Sequence, residues 1–550
     1  MKNIKNIIIF SAASLLAVGC AEERESSFMV DKPESAALYE QLSSYDVLKS
    51  YLPEGGMKVA AAMTHDQFTA KGTMYSLAVN NFTAISPVAY MNMAGNMTTD
   101  GVVDASKLQA LADEANASGI EAFGPTIISH RNQLGSYIRG LYADVYVPGE
   151  KLNYNDLVED FESSPSVSLT SAGTVEIVDD PDDGKSGKVI HVNKAKRSFA
   201  KISIKLPEGR TLGDYDKICY HVRINKGIQQ QLYFGINDNA TVSYGLTAKK
   251  LGCEMNKWNK DGVNFELSKL NLGEDDRKLN EFTLVTGLSV ASTSCEYWID
   301  NIKFVADHEL PGTTIVKTPE ERAAIVTDVL NTWTKGVMKA ASGYIKAFDL
   351  VEDPMSDDDS EMLRLVPGET EEAGETVADD EYYYSETLGE DYVNKVAALV
   401  RENAIDADGN KVAVKLFVSE GGLEQGNKCD RLVQQLRKWE SIDGISVKLA
   451  LNCSDNAADN AAAIDNLKQM FGKLAASGKL VRIASLDVNN NDNAAGFISD
   501  IVKAFIACIP ATQRYGITLP VTEGDKAGLW TAGYNRTLTY KGAVEALSGK

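Results

Sequence analysis

Two segments of the sequence carry polar residues near the end of a strand, where catalytic groups could lie. "LVRIASLDV", residues 480–488, is typical of a buried parallel strand and carries Ser485 just before the polar loop "NNNDNAAG". "GYIKAFDLVEDPM", residues 343–355, contains a second such strand, followed by Asp353. The last residues of a strand in a barrel enzyme usually carry the chemistry. A carboxylate would suit that position, whereas a serine hydroxyl with no evident histidine to activate it does not ionise near pH 7.

Apolar strands alternate with amphipathic helices over residues 57–150 and 315–550. "MKVAAAM" and "VAVKLFVSE" are examples of the strands, and "DASKLQALADEANASG" is an example of the helices. Eight such strands with helices between them are what a closed (β/α)8 barrel requires. We therefore expect the strands to bring their polar ends together at one face of a barrel.

Residues 155–308 lack this alternation of strands and helices. They show short alternating runs such as "KVIHVN" and "KICYHVRI", separated by turn-rich stretches such as "DDPDDGKSG", which predicts a β-sandwich. The predicted fold class is thus α/β, a (β/α)8 TIM barrel over residues 57–154 and 309–550, interrupted after strand 3 by an all-β jelly-roll sandwich over residues 155–308. Such an insertion is physically easy because both ends of a sandwich can lie close together.

The net charge of the chain limits the classes of molecule that it can bind. There are 55 basic and 77 acidic residues, a formal net charge of −22. This charge argues against a nucleic-acid or anionic-membrane partner. A neutral ligand or a soluble partner is expected instead.

The first twenty residues have the pattern of a secretory signal. "MKNIKNIIIFSAASLLAVGC" has two lysines, then an apolar run, then small residues before Cys20. Its ending resembles a bacterial lipobox, which predicts that Cys20 is lipidated and becomes the first residue of the mature chain. The acidic "AEERESS" that follows resembles the export tag of surface lipoproteins. We expect an outer-membrane protein that faces the cell exterior and touches the membrane only through its lipid, with residues 21–56 as a tether and first helix.

The six remaining cysteines do not indicate a metal centre. No two form a CxxC pair and no histidine accompanies them at zinc spacing, so we expect no metal or redox cofactor in the barrel. An oxidising compartment would permit a disulfide, for instance Cys253 with Cys295, but the sequence does not show one.

The barrel half resembles glycoside hydrolase family 10, the endo-β-1,4-xylanases. "GYIKAFDLVEDPM" resembles the family's W-D-V-V-N-E strand, and "KLFVSEGGLE" its K-L-F-x-N-D-Y-N-L-E. "IDGISVKL" resembles I-D-G-I-G-x-Q-S-H, "VRIASLDV" resembles I-T-E-L-D, and "YGITLPVTEGDKAGLW" resembles the closing strand. The segments come in the correct order and spacing, which implies shared ancestry and a barrel fold.

The resemblance implies that the catalytic pair is lost. A retaining glycosidase needs two carboxyl groups roughly 5 Å apart. The family's nucleophilic glutamate falls on Ser485 and its acid/base glutamate on Asp353. Serine cannot replace a nucleophilic carboxylate, and aspartate would hold its proton about an ångström too far away, which costs on the order of a hundredfold in rate. No catalytic residues are expected, and both positions are relics.

Most of the family's sugar contacts are also replaced in this sequence. His130 and Trp530 match family residues and are therefore candidate ligand contacts, although a histidine in such a position is more often a buried structural residue than a sugar ligand. The positions that differ from the family are Val88, Ala89, Asn92, Pro125, Ser129, Lys448 and Ala450. Because the losses lie at strand ends while the packing pattern survives, we expect a barrel kept for binding and not for hydrolysis.

The inserted sandwich resembles the xylan-binding modules that some family members carry in this loop. "DFESS", "KLPEGRTLGDYDKI" and "YWIDNIKF" resemble their first strand, a middle loop and the last strand. The resemblance implies a structural calcium ion held by Glu162 and Asp300. The alternative is a pair of strand-end carboxylates that face water.

Sugar binding needs exposed aromatic rings flanked by hydrogen-bonding side chains. In the sandwich the candidates are Trp258, Tyr233, Tyr244 and Trp298, with Trp258 the first choice because it lies among polar residues in "EMNKWNKDG". Tyr297 and Trp298 must point to opposite faces of a strand, so one of them is expected in the core. After the acidic stretch 356–380, the run Tyr382–Tyr384 could also stack on a ligand.

Three functions remain open on the sequence. The leading prediction is a non-catalytic glycan-binding lipoprotein that captures a polysaccharide or oligosaccharide, such as xylan, for uptake. The first alternative is an active glycoside hydrolase, with Asp353 or Glu352 as the acid and Asp487, Glu420 or Glu523 as the base. The second is a structural partner of an outer-membrane glycan transporter.

Overall fold

The structure is a computed structural model that describes residues 33–549, except for 54–55, 89–90, 164–167, 172–173, 183–186, 195–199, 227–229, 237–238, 247–252, 287–294, 365, 367–376, 490 and 522–525. The predicted lipidation site Cys20 and the candidate base Glu523 lie outside the described residues. The chain divides into two compact units, residues 1–143 with 317–550 and residues 144–316. No helix of the described residues is long and apolar enough to cross a membrane.

The first part of the larger unit contains four short strands and six helices. In chain order they are α1 (Glu34–Ser44), β1 (Lys58–Thr64), α2 (His65–Thr69), α3 (Thr73–Asn81), β2 (Ala84–Val88), α4 (Met93–Asn96), α5 (Ser106–Ser118), β3 (Glu121–Ala122), β4 (Ile128–Ser129) and α6 (Gly135–Leu141). The predicted first helix of the tether region is thus α1.

The smaller unit consists of strands joined by turns. They are β5 (Val145–Val147), β6 (Lys151–Glu159), β7 (Ser168–Ser171), β8 (Thr174–Asp179), β9 (Lys188–Lys194), β10 (Ala200–Lys205), β11 (Lys217–Lys226), β12 (Gln230–Ile236), β13 (Asn239–Leu246), β14 (Trp258–Glu266), β15 (Glu281–Thr286), β16 (Cys295–Glu309) and β17 (Thr313–Ile315). One sheet has the order β13-β12-β15-β10-β7 and the other β14-β11-β16-β9-β8, with β6 also pairing with β16.

Residues of both sheets share one apolar core in this unit. Ile202 of β10 and Phe282 of β15 belong to the same buried cluster as Val222 of β11 and Tyr297 of β16. The unit is therefore a two-sheet β structure, and the strand connection that would make it a jelly roll stays a prediction. It extends beyond the predicted limits of 155 and 308 because β5 pairs with β17 and the long strand β16 pairs with β6.

The rest of the larger unit alternates strands and helices. The elements are α7 (Pro319–Ala341), β18 (Ala347–Glu352), α8 (Tyr384–Leu388), α9 (Tyr392–Asn403), β19 (Lys415–Gly421), α10 (Lys428–Gln435), β20 (Gly444–Leu451), α11 (Ala457–Ala476), β21 (Leu480–Val488), α12 (Ala494–Cys508), β22 (Arg514–Leu519) and α13 (Leu538–Leu547).

Helix α7 shows how local sequence sets these elements. Thr318 and Glu321 form a capping box at its start, where the first backbone N–H groups have no helical partner. Pro319 occupies the first turn, where its missing N–H costs nothing. Val326, Leu330 and Trp333 recur at helical spacing and are fully buried against the barrel.

The parallel sheet closes into a barrel through a broken third strand. Its order is β3-β2-β1-β22-β21-β20-β19-β18-β4, so β3 pairs with β2 while β4 pairs with β18. Between them, Phe123 N donates to Ile85 O at 3.0 Å and Gly124 N donates to Ala347 O at 2.8 Å. Pro125 follows and has no N–H to continue the ladder, which explains the break. The predicted (β/α)8 barrel is confirmed.

A buried polar group lies among the apolar side chains of the barrel. Arg482 of β21 donates to Asp349 of β18 at 2.6 Å, and its Nε donates to the hydroxyl of Ser446 on β20 at 2.7 Å. The guanidinium lies 4.1 Å from the ring centroid of Phe123. The side chains of Arg482 and Asp349 are 4% and 13% exposed. The pair therefore links three strands where water has almost no access.

Replacing one partner of this pair should destabilise the barrel strongly. Asp349→Ala leaves the charge of Arg482 buried without compensation, so the free energy of unfolding should fall by about 3–5 kcal/mol. The double variant Asp349→Leu with Arg482→Met should recover most of that loss. Urea unfolding followed by tryptophan fluorescence and circular dichroism measures both. Asp465→Ala, which breaks an exposed pair with Lys468, is the control; an equal loss there would contradict the prediction.

Candidate functional site

Asp353 lies directly after β18, at the face where the parallel strands end. Its backbone has φ of 49°, in the left-handed region, and its N–H donates to Ser419 O of the neighbouring strand at 2.8 Å. Its carboxylate lies 2.7 Å from Lys448 Nζ, and the carboxylate of Glu352 lies 2.8 Å from the same nitrogen. One lysine of β20 thus ties together both acidic residues at the end of β18.

The lysine keeps Asp353 ionised. Burial alone would raise the pKa of Asp353, but the charge and hydrogen bond of Lys448 outweigh it and hold that pKa below its usual range. In turn, burial would lower the pKa of Lys448, and the two carboxylates raise it. An acid catalyst at this position would need a proton to donate near pH 7, and the ionised Asp353 has none.

Glu420, at the end of β19, differs from Asp353. It is 0% exposed, and burial is the main cause that raises its pKa to about 7, with the negative charge of Asp353 adding to the effect. It accepts from Met355 N at 3.0 Å and pairs with Lys428 at 2.8 Å. Two carboxyl groups with pKa values shifted apart are a pattern of acid–base sites. Glu420, however, is fully buried and lines neither the cavity beside His130 nor the cavity beside Ser485.

The loop after β18 is held down by two basic residues of α10. Lys428 Nζ lies 2.7 Å from Asp357, and Arg431 donates to the carbonyl oxygens of Glu361 and of Ser356, the latter at 3.1 Å. These bonds fix the loop against the ends of β18 and β19. The loop therefore covers Glu420.

The tyrosine run after this loop fills the face near β4. Tyr382, Tyr383 and Tyr384 are 3%, 8% and 3% exposed, and the hydroxyl of Tyr384 donates to Gln133 Oε1 at 2.9 Å. Tyr382 and Tyr384 belong to the core, and all three rings line only a small cavity. The cavity left beside them measures about 20 Å³, which is room for about one water molecule.

His130 lines this small cavity together with Asp353. Burial is the main cause that lowers the pKa of His130 to about 4, and the charge of Arg364 adds to it. Its ring lies 6.0 Å from that of Tyr383, and its Nδ1 is buried without a hydrogen-bond partner among the described residues. A neutral histidine in so small a space is in keeping with the structural alternative.

Ser485 lies on β21, where it pairs with Lys448 of β20. It is exposed and lines a cavity of about 660 Å³ with Asp487, Thr64, Gln67 and Met74. Asp353 does not line this cavity. The two relic positions thus belong to separate cavities, and the larger one is in the size range of ligand sites.

Trp530 does not lie in the barrel mouth. It is 1% exposed, and its ring packs edge-on against Phe82 at 6.0 Å and Tyr540 at 5.8 Å between centroids. Because the indole is enclosed by the core, the predicted ligand contact of Trp530 is not supported by its position.

In the smaller unit, two predicted aromatic residues come together on one row. Arg223 of β11 pairs with Trp258 of β14 on one side and Trp298 of β16 on the other, and Trp298 pairs with His191 of β9. Directly paired residues share a face of the sheet. Tyr297, next to Trp298, points the other way into the core, as alternation predicts. The row therefore lies on the outer face.

The two tryptophans of this row differ in the ring surface that a ligand could contact. Trp298 is 7% exposed; His191 stacks on it at 4.7 Å between ring centroids, and the guanidinium of Arg223 lies 4.8 Å from its centroid. Trp258 is half-buried, with its indole N–H donating to Asp180 at 3.0 Å. Trp258 thus keeps ring surface for a ligand, whereas Trp298 is covered by its neighbours.

Tyr233 and Tyr244 lie on the other sheet of this unit. Tyr244 pairs with Leu232, the residue before Tyr233. The two tyrosines therefore belong to the paired strands β12 and β13.

The predicted calcium ligands lie in an acidic group. Burial is the main cause that raises the pKa of Asp300 to about 6, and Glu162, Asp160 and Asp180 add to it. Glu162 accepts from Lys188 N at 2.9 Å. Within the described ranges, no three His, Cys, Asp or Glu side chains are placed so as to hold a metal ion. The structural calcium stays a prediction.

The sequence reasoning missed the polar face of α10. Lys428, Arg431 and Gln435 are spaced by three and four residues and are all buried, so that one side of this helix carries polar groups into the protein. Helical spacing of these residues in "NKCDRLVQQ" was the available signal. It also missed Arg223 and His191, whose positions depend on strand register.

The closed barrel and the polar groups at its strand ends define a (β/α)8 protein with its site at the carboxyl face. The model of glycosyl hydrolase family 10 matches residues 303–544. This stretch, less than half of the chain, is similar to glycosyl hydrolase family 10.

Two curated relatives match part of the chain. Endo-1,4-beta-xylanase A of Thermoanaerobacterium saccharolyticum is 27% identical over 175 residues, and Exoglucanase XynX of Acetivibrio thermocellus is 26% identical over 175 residues. Each match takes in 29% of this chain, but only 13% of the xylanase and 14% of the exoglucanase. The chain thus spans a small share of the relatives it matches.

Solved xylanase structures also align with the chain. An endo-1,4-beta-xylanase from Caldicellulosiruptor owensensis has a TM-score of 0.47 at 12% identity, covering 91% of this chain and 99% of that one. Xylanase 10B from Thermotoga maritima has a TM-score of 0.45 at 12% identity, covering 92% of this chain and 98% of that one.

The raised pKa of Glu420 predicts a pH dependence of stability. A carboxyl whose pKa is higher in the folded state favours folding in acid, and this contribution is lost as the pH rises from about 4.5 to about 7. Glu420→Gln cannot ionise, so its unfolding free energy minus that of the wild type should increase over this window, by on the order of 3 kcal/mol. Denaturant unfolding at pH 5 and pH 8 measures the difference. The exposed Glu440→Gln is the control, and a pH-independent difference for Glu420→Gln would contradict the assignment.

Proposed function

We propose that the protein is a non-catalytic glycan-binding protein built on a xylanase-like barrel. The single observation that carries the proposal is the state of the two relic positions. Asp353 is paired with Lys448 and ionised, and the position of the second carboxylate holds the hydroxyl of Ser485. Neither the proton donor nor the nucleophile that a retaining glycosidase needs is available in this arrangement.

The proposal includes a location and a ligand class. Cys20 carries a lipid that anchors the chain in the outer membrane, facing the cell exterior, where the protein captures a plant-type polysaccharide such as xylan for uptake through a glycan transporter. The lipobox-like signal sequence and the family match of residues 303–544 support this assignment. The cavity beside Ser485 and the half-buried ring of Trp258 are the two places offered for sugar units.

One observation bears on the alternative, an active hydrolase with a rearranged pair. Glu420 holds a proton to about pH 7 beside the ionised Asp353. Its complete burial under the loop fixed by Lys428 separates that proton from any substrate. The alternative is therefore not favoured.

The catalytic state can be tested by measuring binding and reducing-sugar release on the same polysaccharide panel. We expect the wild type to bind soluble xylan without releasing reducing ends. Ser485→Glu combined with Asp353→Glu should remain near background, because Lys448 still neutralises position 353 and the sugar contacts are missing. The triple variant that adds Lys448→Gln to these two substitutions is the control for the neutralisation of position 353 by Lys448. Vigorous release by the wild type or by the double variant would refute the non-catalytic assignment.

A second prediction concerns the sandwich. Trp258→Ala removes the half-buried ring that can stack on a sugar, so the affinity for xylan should fall about tenfold, equivalent to about 1.4 kcal/mol. Trp258→Phe, which keeps a smaller ring, should lose less. Calorimetry on the full chain measures both. Tyr39→Ala is the matched control because Tyr39 is an exposed aromatic residue of α1. Equal affinities for Trp258→Ala and wild type would exclude Trp258 as a contact.

A further inference from the structure

A further cavity of ligand size lies on the helical wall of the barrel. It is bounded by the loop after β18, by α8 and by the end of α10, and it measures about 590 Å³. Small-molecule sites commonly fall between about 300 and 1,000 Å³. It shares Ser385 with the small cavity beside His130 and has no residue in common with the cavity beside Ser485.

The cavity is lined by a buried amide without partners. Gln435 is 0% exposed, and neither its Oε1 nor its Nε2 has a hydrogen bond to any described residue. The other two buried polar residues on this face of α10, Lys428 and Arg431, are fully engaged with the loop after β18. Buried amides in folded proteins nearly always find partners. Both the oxygen and the nitrogen of the Gln435 amide lack a hydrogen-bond partner among the described residues and lie beside a cavity. This indicates a hydrogen-bond partner that is not part of the chain.

The charges around the cavity limit what that partner can be. Glu361, Glu386 and Glu390 line it, with Lys438 as the single basic lining residue. Lys438 lies 3.1 Å from Glu390, which leaves an excess of negative charge. An anionic ligand would be repelled, and the carboxylates require a ligand that donates hydrogen bonds.

We propose, resting on the proposed glycan-binding function, that this cavity is a further carbohydrate site, in which two neighbouring hydroxyls of a neutral sugar pair with the Gln435 amide. A hydroxyl both donates and accepts, so a diol can satisfy Oε1 and Nε2 together, whereas an ammonium group can satisfy only Oε1. The remaining hydroxyls donate to the glutamates. Because the amide has no exposed surface, the sugar reaches it only as the side chains that line the cavity move.

Two methionines allow this site to be observed separately from the barrel mouth. Met362 lines the proposed site, and Met74 lines the cavity beside Ser485. In the full chain labelled with ¹³C at the methionine methyl groups, xylotetraose should shift the Met362 signal in a saturable manner. Trigalacturonate, an anionic oligosaccharide, should not. Met362→Leu and Met74→Leu assign the two signals.

Gln435→Leu tests the role of the amide. It should weaken the xylotetraose dissociation constant read at Met362 at least tenfold and raise the melting temperature, because the unpaired amide is removed from the interior. Gln434→Leu, the same change at the exposed neighbour, should alter neither. An unchanged Met362 titration in Gln435→Leu, a lower melting temperature, or no Met362 shift in the wild type would each overturn the proposal. A shift at Met362 without one at Met74 would support this site while removing the barrel mouth from the proposed function.

Discussion

Closure of the eight-position sheet is the constraint on which the rest of the larger unit depends. A closed barrel has no free edge, and here the third position is supplied by two short pieces that each reach a different neighbour. Ile127 N donates to Asp349 O at 2.9 Å, which fixes the height of β18 against the rest of the sheet. That height places Asp349 opposite Arg482 inside the barrel and Asp353 opposite Lys448 at its mouth.

Ion pairs between carboxylates and basic residues determine the structure of the barrel mouth. Burial disfavours the charged forms of the carboxylates at the ends of β18 and β19; Lys448 of β20 outweighs it for Asp353, whereas Lys428 of α10 offsets it only in part for Glu420, whose pKa stays raised. The ion pairs turn a face that could hold reacting groups into a fixed and largely filled surface. What remains open at the mouth lies around Ser485, which pairs with Lys448 in the sheet but lines a separate cavity from Asp353.

Much of the barrel could be predicted from the sequence because its strands are long apolar runs and its helices are amphipathic. The break of the third strand had a signal in Pro125. The pairing of Lys448 with Asp353 had none, because it depends on the register between strands that are distant in the chain. The burial of Trp530 and of Tyr382–Tyr384 was missed for a similar reason, since an aromatic residue in a loop-like stretch can pack inward or outward with the same local sequence.

The split third strand also governs the order in which the chain can fold during synthesis. β1 and β2 can pair with each other early. The other side of β1 pairs only with β22, where Lys58 lies opposite Gly516, and β4 pairs with β18, which follows the inserted unit in the chain. The smaller unit, complete in sequence by residue 316, can fold before either pairing forms. The N-terminal strands therefore remain an exposed parallel edge during the translation of most of the chain, and the ribosome must release β22, the last strand of the barrel, before that edge is protected.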